Sequence, residues 1–139
     1  MADNVTAANA AQAIAASALR AQQGRMRIIA ENLANANSTS KTKGGNPYTR
    51  QEPVFEPTPV AGGLGVRMAR VQPDQAAFKT QYDPGNPSAD AQGYVKLPNV
   101  DPLIEALDMR DAQRAYEANL NVIDTARTMQ QRTLDLLKK

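Results

Sequence analysis

The chain has 139 residues, sixteen Lys or Arg against fourteen Asp or Glu, and neither histidine nor cysteine. Disulfides, thiolate nucleophiles and thiolate metal sites are thereby excluded, and the commonest general base and transition-metal ligand is missing with them. A net charge of +2 without a Lys/Arg cluster, and aromatics at only 4%, argue against a nucleic-acid surface or a polybasic membrane segment.

All nine prolines lie from Pro47 to Pro102, and every glycine except Gly24 lies from Gly44 to Gly93. The chain therefore divides into a helical segment over 1–38, a punctuated segment over 39–100 and a second helical segment over 101–139. Hydrophobic residues make up 42%, but alanine supplies much of that. An Ala-rich helix buries little area and is marginal alone in water. Partner chains are the simplest cover for helices of this length.

The first helix is predicted from about Thr6 to Ala36. Leu19, Gln22, Met26, Ile29, Leu33 and Ala36 alternate spacings of three and four, a heptad-like seam that continues weakly back through Ala15, Gln12 and Ala8. Gly24 costs about 1 kcal/mol against Ala in a helix interior, which marks the first half as the part that frays. The start, Met1 to Thr6, carries Asp3 and no basic side chain, and polar residues interrupt the Ala-rich run. Neither a cleavable signal nor a spanning helix is expected.

The helix ends near Asn35 to Ser38, where short polar side chains compete for its backbone. Short strands follow over Tyr48 to Phe55, at Val60 and over Gly65 to Val71, with Pro53, Pro57 and Pro59 restricting them to edges or extended loops. Hairpins packed on a helix are expected. Gln81 to Asn99 is dense in turn residues and is expected to order only against a neighbour. Gly62, Gly63 and Gly65 lack a following Lys-Ser/Thr pair, so they read as a turn and not a phosphate loop.

Asp101 caps a second helix that begins at Pro102 and runs to about Leu137. Ala115, Ala118, Val122, Thr125 and Met129 form one apolar seam on it; Tyr116, Leu120, Ile123, Leu134 and Leu137 form an adjoining one. Two seams exceed what a two-stranded coil needs and point to several neighbours. Glu105, Asp108 and Asp111 are spaced to hold a hard cation, but the plainer reading is a solvated acidic start favoured by the helix dipole. Arg110 and Arg114 read as a salt-bridge ladder with Asp111 and Glu117. Asn119 and Asn121 stand out as amides in an apolar stretch and could fix register. No catalytic, cofactor-binding or metal-ligating residue is assigned. The fold class is mainly α with a small β part, its two long terminal helices paired as a coiled-coil-like core.

The run Asn32 to Thr39 (NLANANST) resembles the segment that closes the N-terminal helix of flagellar axial proteins. Pro47 to Gln51 (PYTRQ) with Val54, Phe55 and Glu56, then Tyr82 to Pro87 (YDPGNP), Gly93 to Val95, Pro98 to Val100 and Arg114 to Asn119 (RAYEAN) complete the pattern. In this order they are similar to the basal-body rod members of the flagellar rod and hook family, found in the proximal rod. Asn86, and the pair Pro102 and Leu103, depart from the usual pattern. The resemblance implies a structural rod subunit that polymerises through its terminal helices and transmits torque, with no enzymatic activity and no cofactor. Other rod subunits, a rotor-adjacent adaptor, further copies of itself and the export apparatus are the implied partners; nucleic acid and a membrane span are not. The implied location is the rod crossing the periplasm, reached by type III export without signal cleavage. A small helical export chaperone or adaptor is the alternative. The residues assigned to subunit interfaces are Leu19, Met26, Ile29, Leu33 and Asn35 on the first helix, and Ala115, Tyr116, Ala118, Asn119, Leu120, Val122, Ile123, Met129 and Leu134 on the second.

Overall fold

The computed structural model describes residues 2–138. Six elements follow one another: α1 (Ala2–Ala34), β1 (Gln51–Val60), β2 (Gly63–Pro73), β3 (Lys79–Tyr82), β4 (Tyr94–Leu97) and α2 (Pro102–Leu137). β1 and β2 form one two-stranded sheet, and β3 and β4 another. The described chain separates into two compact units. One comprises Met1–Met26, Val54–Arg70 and Arg110–Lys139; the other comprises Arg27–Pro53 and Val71–Met109.

Both helices end where local chemistry dictates. α1 starts earlier than the sequence predicted, because nothing after Ala2 breaks a helix and Asp3 places a carboxylate in the first turn. It closes as Asn35 Nδ2 donates to Glu31 O at 2.9 Å and Ser38 Oγ donates to Asn35 O at 2.9 Å. Asp101 caps α2: its Oδ1 accepts from the backbone N–H of Leu103 at 3.0 Å and of Ile104 at 3.4 Å. Pro102 takes the first helical position, where no donor is required.

In the first unit the β1–β2 hairpin lies along α1. The prolines at 53, 57 and 59 share one parity, so one edge of β1 keeps its donors, and a two-stranded sheet needs only one edge. Ser17 joins helix to strand: its Oγ donates to Ile14 O at 2.6 Å and accepts from Val66 N at 3.0 Å. Gly65 permits that approach, since a Cβ there would overlap Ser17 Oγ and lie 2.9 Å from Ser17 Cβ. Gly24 has a similar use, because a Cβ there would stand 2.9 Å from Met68 Cε. The glycine read as a weak point of the helix is also the notch in which β2 seats its methionine.

The buried residues of this unit are Ala8, Ala15, Ser17, Ala21, Ala112 and Ala126. None is larger than serine. The second unit buries Ile28, Ile29, Ala36, Val95, Pro98 and Val100, which is a more ordinary core.

The turn-dense stretch behaves differently from expectation. Residues 79–97 form a hairpin in the register Lys79↔Leu97 to Tyr82↔Tyr94, with Tyr82 and Tyr94 edge-to-face at 5.3 Å. Its connection is ordered by the chain itself. Asp90 Oδ1 accepts from Gln92 N and Tyr94 N, both at 2.9 Å; Gly44 N donates to Ser88 O at 3.0 Å, and Ser88 Oγ donates to Ser40 O. The neighbour that orders this loop is the 40–46 loop of the same chain.

Gly65→Ala drives a methyl into Ser17 and is expected to cost about 1–3 kcal/mol, the usual range for overpacking. Gly85, whose added Cβ would meet only Asp83 Oδ1 at 3.8 Å, is the control. Thermal unfolding of the two alanine variants should separate them, with Gly85→Ala near the parent.

Candidate functional site

A carboxylate at the start of α2 organises the second unit. Glu105 is fully buried, and Asn32 of α1 is 1% exposed. Glu105 Oε1 accepts from Arg50 Nε, and its Oε2 accepts from Asn32 Nδ2 at 3.3 Å. Asn32 is satisfied at both ends. Its Nδ2 also donates to Gln51 O at 2.9 Å, while its Oδ1 accepts from Tyr48 Oη at 2.8 Å and from Gln51 N at 2.9 Å. Arg50 spends its remaining donors on Glu52 at 2.7 Å and Asp74 at 3.2 Å, with Asp108 at 3.7 Å. Asn99 closes the arrangement by accepting from Arg50 N at 2.7 Å and donating to Ala76 O at 3.0 Å.

The chemistry of this knot is structural. Each buried polar atom in it has a partner, which is the condition under which such a network specifies one geometry instead of costing stability. Burial acts to lower the Arg50 pKa, but its hydrogen bond and charge contact with Glu105, helped by Asp74 and Glu52, raise it overall. Burial raises the Tyr48 pKa above 10.0, and the charges of Glu31 and Glu105 raise it further. Among the described residues no group of His, Cys, Asp or Glu is arranged to hold a metal ion. The acidic triple does not share a solvated face either: Glu105 is buried and Asp108 turns to Arg50, leaving only Asp111 exposed. The reading of Glu105 as a solvated helix-start acid is therefore corrected. Sequence could not show it, because the cation that holds Glu105 lies far away in the chain.

In the first unit, α2 presents four longitudinal zones at about 100° per residue. The face spent within the chain runs through Ala112, Ala115, Asn119, Ile123, Ala126 and Gln130. Gln130 fixes it to α1, accepting from Gln12 Nε2 at 3.1 Å and donating to Asn9 Oδ1 at 2.6 Å. On one flank Val122 and Met129 are 44% and 54% exposed; on the other, Leu120 and Leu134 are 39% and 50% exposed. The polar back carries Gln113, Glu117, Asp124, Thr128 and Gln131. No helix among the described residues is long and apolar enough to cross a membrane.

Two family models match the helical ends of the chain. One, described as "Flagella basal body rod protein", covers residues 13–40, and the other, "Flagellar basal body rod FlgEFG protein C-terminal", covers residues 91–136. Across 94% of its length the chain is 48% identical to the flagellar basal-body rod protein FlgC of Agrobacterium fabrum, spanning 95% of that protein. It is 45% identical to FlgC of Salmonella typhimurium over 88% of its length and 92% of the relative. FlgC of Aquifex aeolicus is 42% identical over 90% of this chain and 93% of that one. The chain belongs to the FlgC family of flagellar basal-body rod proteins. As a FlgC-family member it is a structural subunit of the basal-body rod.

The residues assigned to interfaces are distributed unevenly. Ile29 is buried within the second unit. Leu19, Met26, Leu33, Asn35, Ala115, Tyr116, Asn119 and Ile123 are half-buried, while Ala118, Leu120, Val122, Met129 and Leu134 are exposed. On α2 the face this FlgC-family chain uses internally lies between the two seams read from its sequence. That intermediate face is mostly alanine and amide, which a search for large apolar residues passes over. Asn119 needs no partner chain, since its Nδ2 donates to Ala115 O at 2.7 Å, and Asn121 is exposed. Arg110, Asp111, Arg114 and Glu117 are all exposed.

Removing one member of the buried pair should be costly. Arg50→Met is expected to destabilise the chain by about 3 kcal/mol, the lower end for a broken buried pair because water still reaches part of Arg50. Arg50→Met combined with Glu105→Leu should cost much less than the sum of the two single changes, as read by denaturant titration. Tyr48→Phe is expected to lose about 1 kcal/mol at neutral pH with its hydrogen bond to Asn32. Because the folded pKa of Tyr48 is raised, its contribution holds below pH 10 and is lost as pH rises toward the folded value. Stability of the parent should therefore fall more steeply above pH 10 than that of Tyr48→Phe.

Proposed function

We propose that this subunit polymerises through its terminal helices into the tubular, torque-transmitting core of the proximal rod. The observation that carries the reading is the mismatch inside the first unit. Among its described residues it buries nothing larger than alanine and serine, yet Leu120, Val122, Met129 and Leu134 stand exposed on both flanks of the face already used. At roughly 25 cal/mol per Å² of apolar area, alanine contacts contribute little, and the larger side chains contribute only when neighbours cover them. Two flanks require two neighbours.

In this reading residues 1–38 and 101–139 form a coiled-coil-like core, and 39–100 supply the small outer β part. The interface residues are those named from the sequence that reach the surface, which leaves out buried Ile29, with the α2 flank residues contributing most. Torsional stiffness comes from many weak helix contacts repeated around an open, heterologous symmetry. The partners are other rod subunits, the rotor-adjacent adaptor and further copies of this chain. The subunit reaches the periplasmic part of the rod through the type III export channel with its N-terminus uncleaved. The chain works by assembly and carries out no reaction. Its buried carboxylate is committed to Arg50 and Asn32, consistent with a structural part. The chaperone alternative has no support from relatives that are rod proteins over about nine-tenths of this chain.

Val122→Glu with Met129→Glu places two charges on an exposed flank without touching the internal face. Export of the variant should match the parent, while rods, hooks and swimming are lost. Glu117→Lys, on the polar back, should leave motility intact. Swimming by the double variant would contradict the reading.

A further inference from the structure

The β1–β2 hairpin has two edges, and the chain treats them differently. Residues 61 and 62 form a two-residue turn with Gly62 at φ 83°, which sets Val60 opposite Gly63 and makes alternate residues from there bond across the ladder. Even-numbered residues of β1 therefore spend their backbone groups on β2, while even-numbered residues of β2 point theirs away from β1. Val66 shows this directly, since its N–H goes to Ser17 Oγ of α1 at 3.0 Å. α1 lies along that edge: a Cβ on Gly62 would stand 2.6 Å from Ala10 Cβ, and one on Gly65 would stand 2.9 Å from Ser17 Cβ. The outer edge of β1 belongs to its odd-numbered residues. Gln51 follows the rule, donating its N–H to Asn32 Oδ1 at 2.9 Å instead of to β2. Of the odd positions that remain, Pro53, Pro57 and Pro59 have no N–H, which leaves Phe55 as the one donor over the rest of the strand. Phe55, Pro57 and Pro59 are exposed, so this edge faces water in the free chain.

We propose that Pro53, Pro57 and Pro59 disarm the open edge of this hairpin, so that a free subunit cannot add a strand from a second copy and self-association is left to its helices. The device concerns the contact that is denied, and it holds wherever the helices assemble. A joining strand needs donors at alternate residues, and here it meets one where four would otherwise stand. The placement of the prolines argues for this use. All three fall on the outward parity and none at 52, 54, 56, 58 or 60, where a missing donor would break the ladder to β2. The ladder itself gains nothing from them, because the outward groups make no bond within it. The need is local as well. β1 is ten residues long and carries Val54, Phe55, Thr58 and Val60, residue types that favour strand pairing. β3 and β4 are four residues each and carry Lys79 and Lys96, so shortness and charge protect them already.

Pro57→Thr combined with Pro59→Thr restores two donors beside Phe55 and leaves the even-numbered residues untouched; threonine itself suits a strand. Pro87→Thr, at an exposed proline outside the strands, is the control. Purified full-length chains are taken through a dilution series and followed by sedimentation velocity, with amide exchange at residue 55 read on the same samples. The double variant is expected to self-associate at a concentration at least tenfold below that of the parent and the control. Exchange at Phe55 should slow at least tenfold in the associated double variant and stay fast in the parent at every concentration. Thermal unfolding of each chain separates strand addition from aggregation of an unfolded variant. Pro57→Thr alone sets a second donor beside Phe55; it is read in the same way and carries the test if the double variant melts early. A folded variant that associates no more readily than the parent overturns the proposal. Association that leaves Phe55 exchanging fast overturns it too, as does a Phe55 amide already protected in the dilute parent.

Discussion

A carboxylate shut away from water must find a cation and hydrogen-bond donors close by, and Glu105 finds both in Arg50 and Asn32. That requirement draws five pieces of chain together in the second unit. Asn32 comes from the end of α1, Tyr48 to Glu52 from the approach to β1 and its first two residues, Asp74 and Asn99 from the loops, and Glu105 from the first turn of α2. Apolar contacts alone would tolerate sliding. A network in which each amide and guanidinium edge has one partner does not, because a shift of one residue leaves several groups unpaired at once.

The first unit has no such device. Among its described residues those buried are alanines and one serine, and its contacts between elements include Ser17 with Val66, Gln130 with Gln12 and Asn9, and the exposed pairs of Arg67 and Arg70 with Glu56. The contrast between the units explains how one sequence can hold its own shape and still need company. The second unit fixes its interior through its own polar contacts, although Leu103, Ile104 and Leu107 stay exposed on it, whereas the first buries only small residues and turns leucine, valine and methionine outward. For a subunit of a polymer this division is economical. The part that defines the building block is self-sufficient, and the part that joins blocks is incomplete until joined.

How much of this the sequence revealed depends on distance along the chain. The Asp101–Pro102 start and the polar end of α1 follow from neighbouring residues, and both were legible. The β3 and β4 strands were not, since each is only four residues long and Asp83, Pro84, Gly85 and Asn86 between them dominate the local signal. Glu105 looked like an ordinary helix-start acid because Arg50 lies in another segment, and Gly24 looked like a defect because Met68 does. The seams of α2 were read correctly as apolar, but which face the chain keeps for itself is decided by alanines, whose pattern carries little contrast. The motifs that identified the family were the clearest signal, and PYTRQ among them contains Tyr48, Arg50 and Gln51 of the knot.

The central claim is that the second unit is complete in one copy and the first is completed by others. Amide hydrogen exchange, followed on the dilute free chain and on the chain within purified basal bodies, tests this most directly. The account predicts protection over 27–53 and 94–109 in both states, and protection of 5–26 and 112–134 only after assembly. Equal, strong protection of the two helices' outer segments in the dilute chain would contradict it.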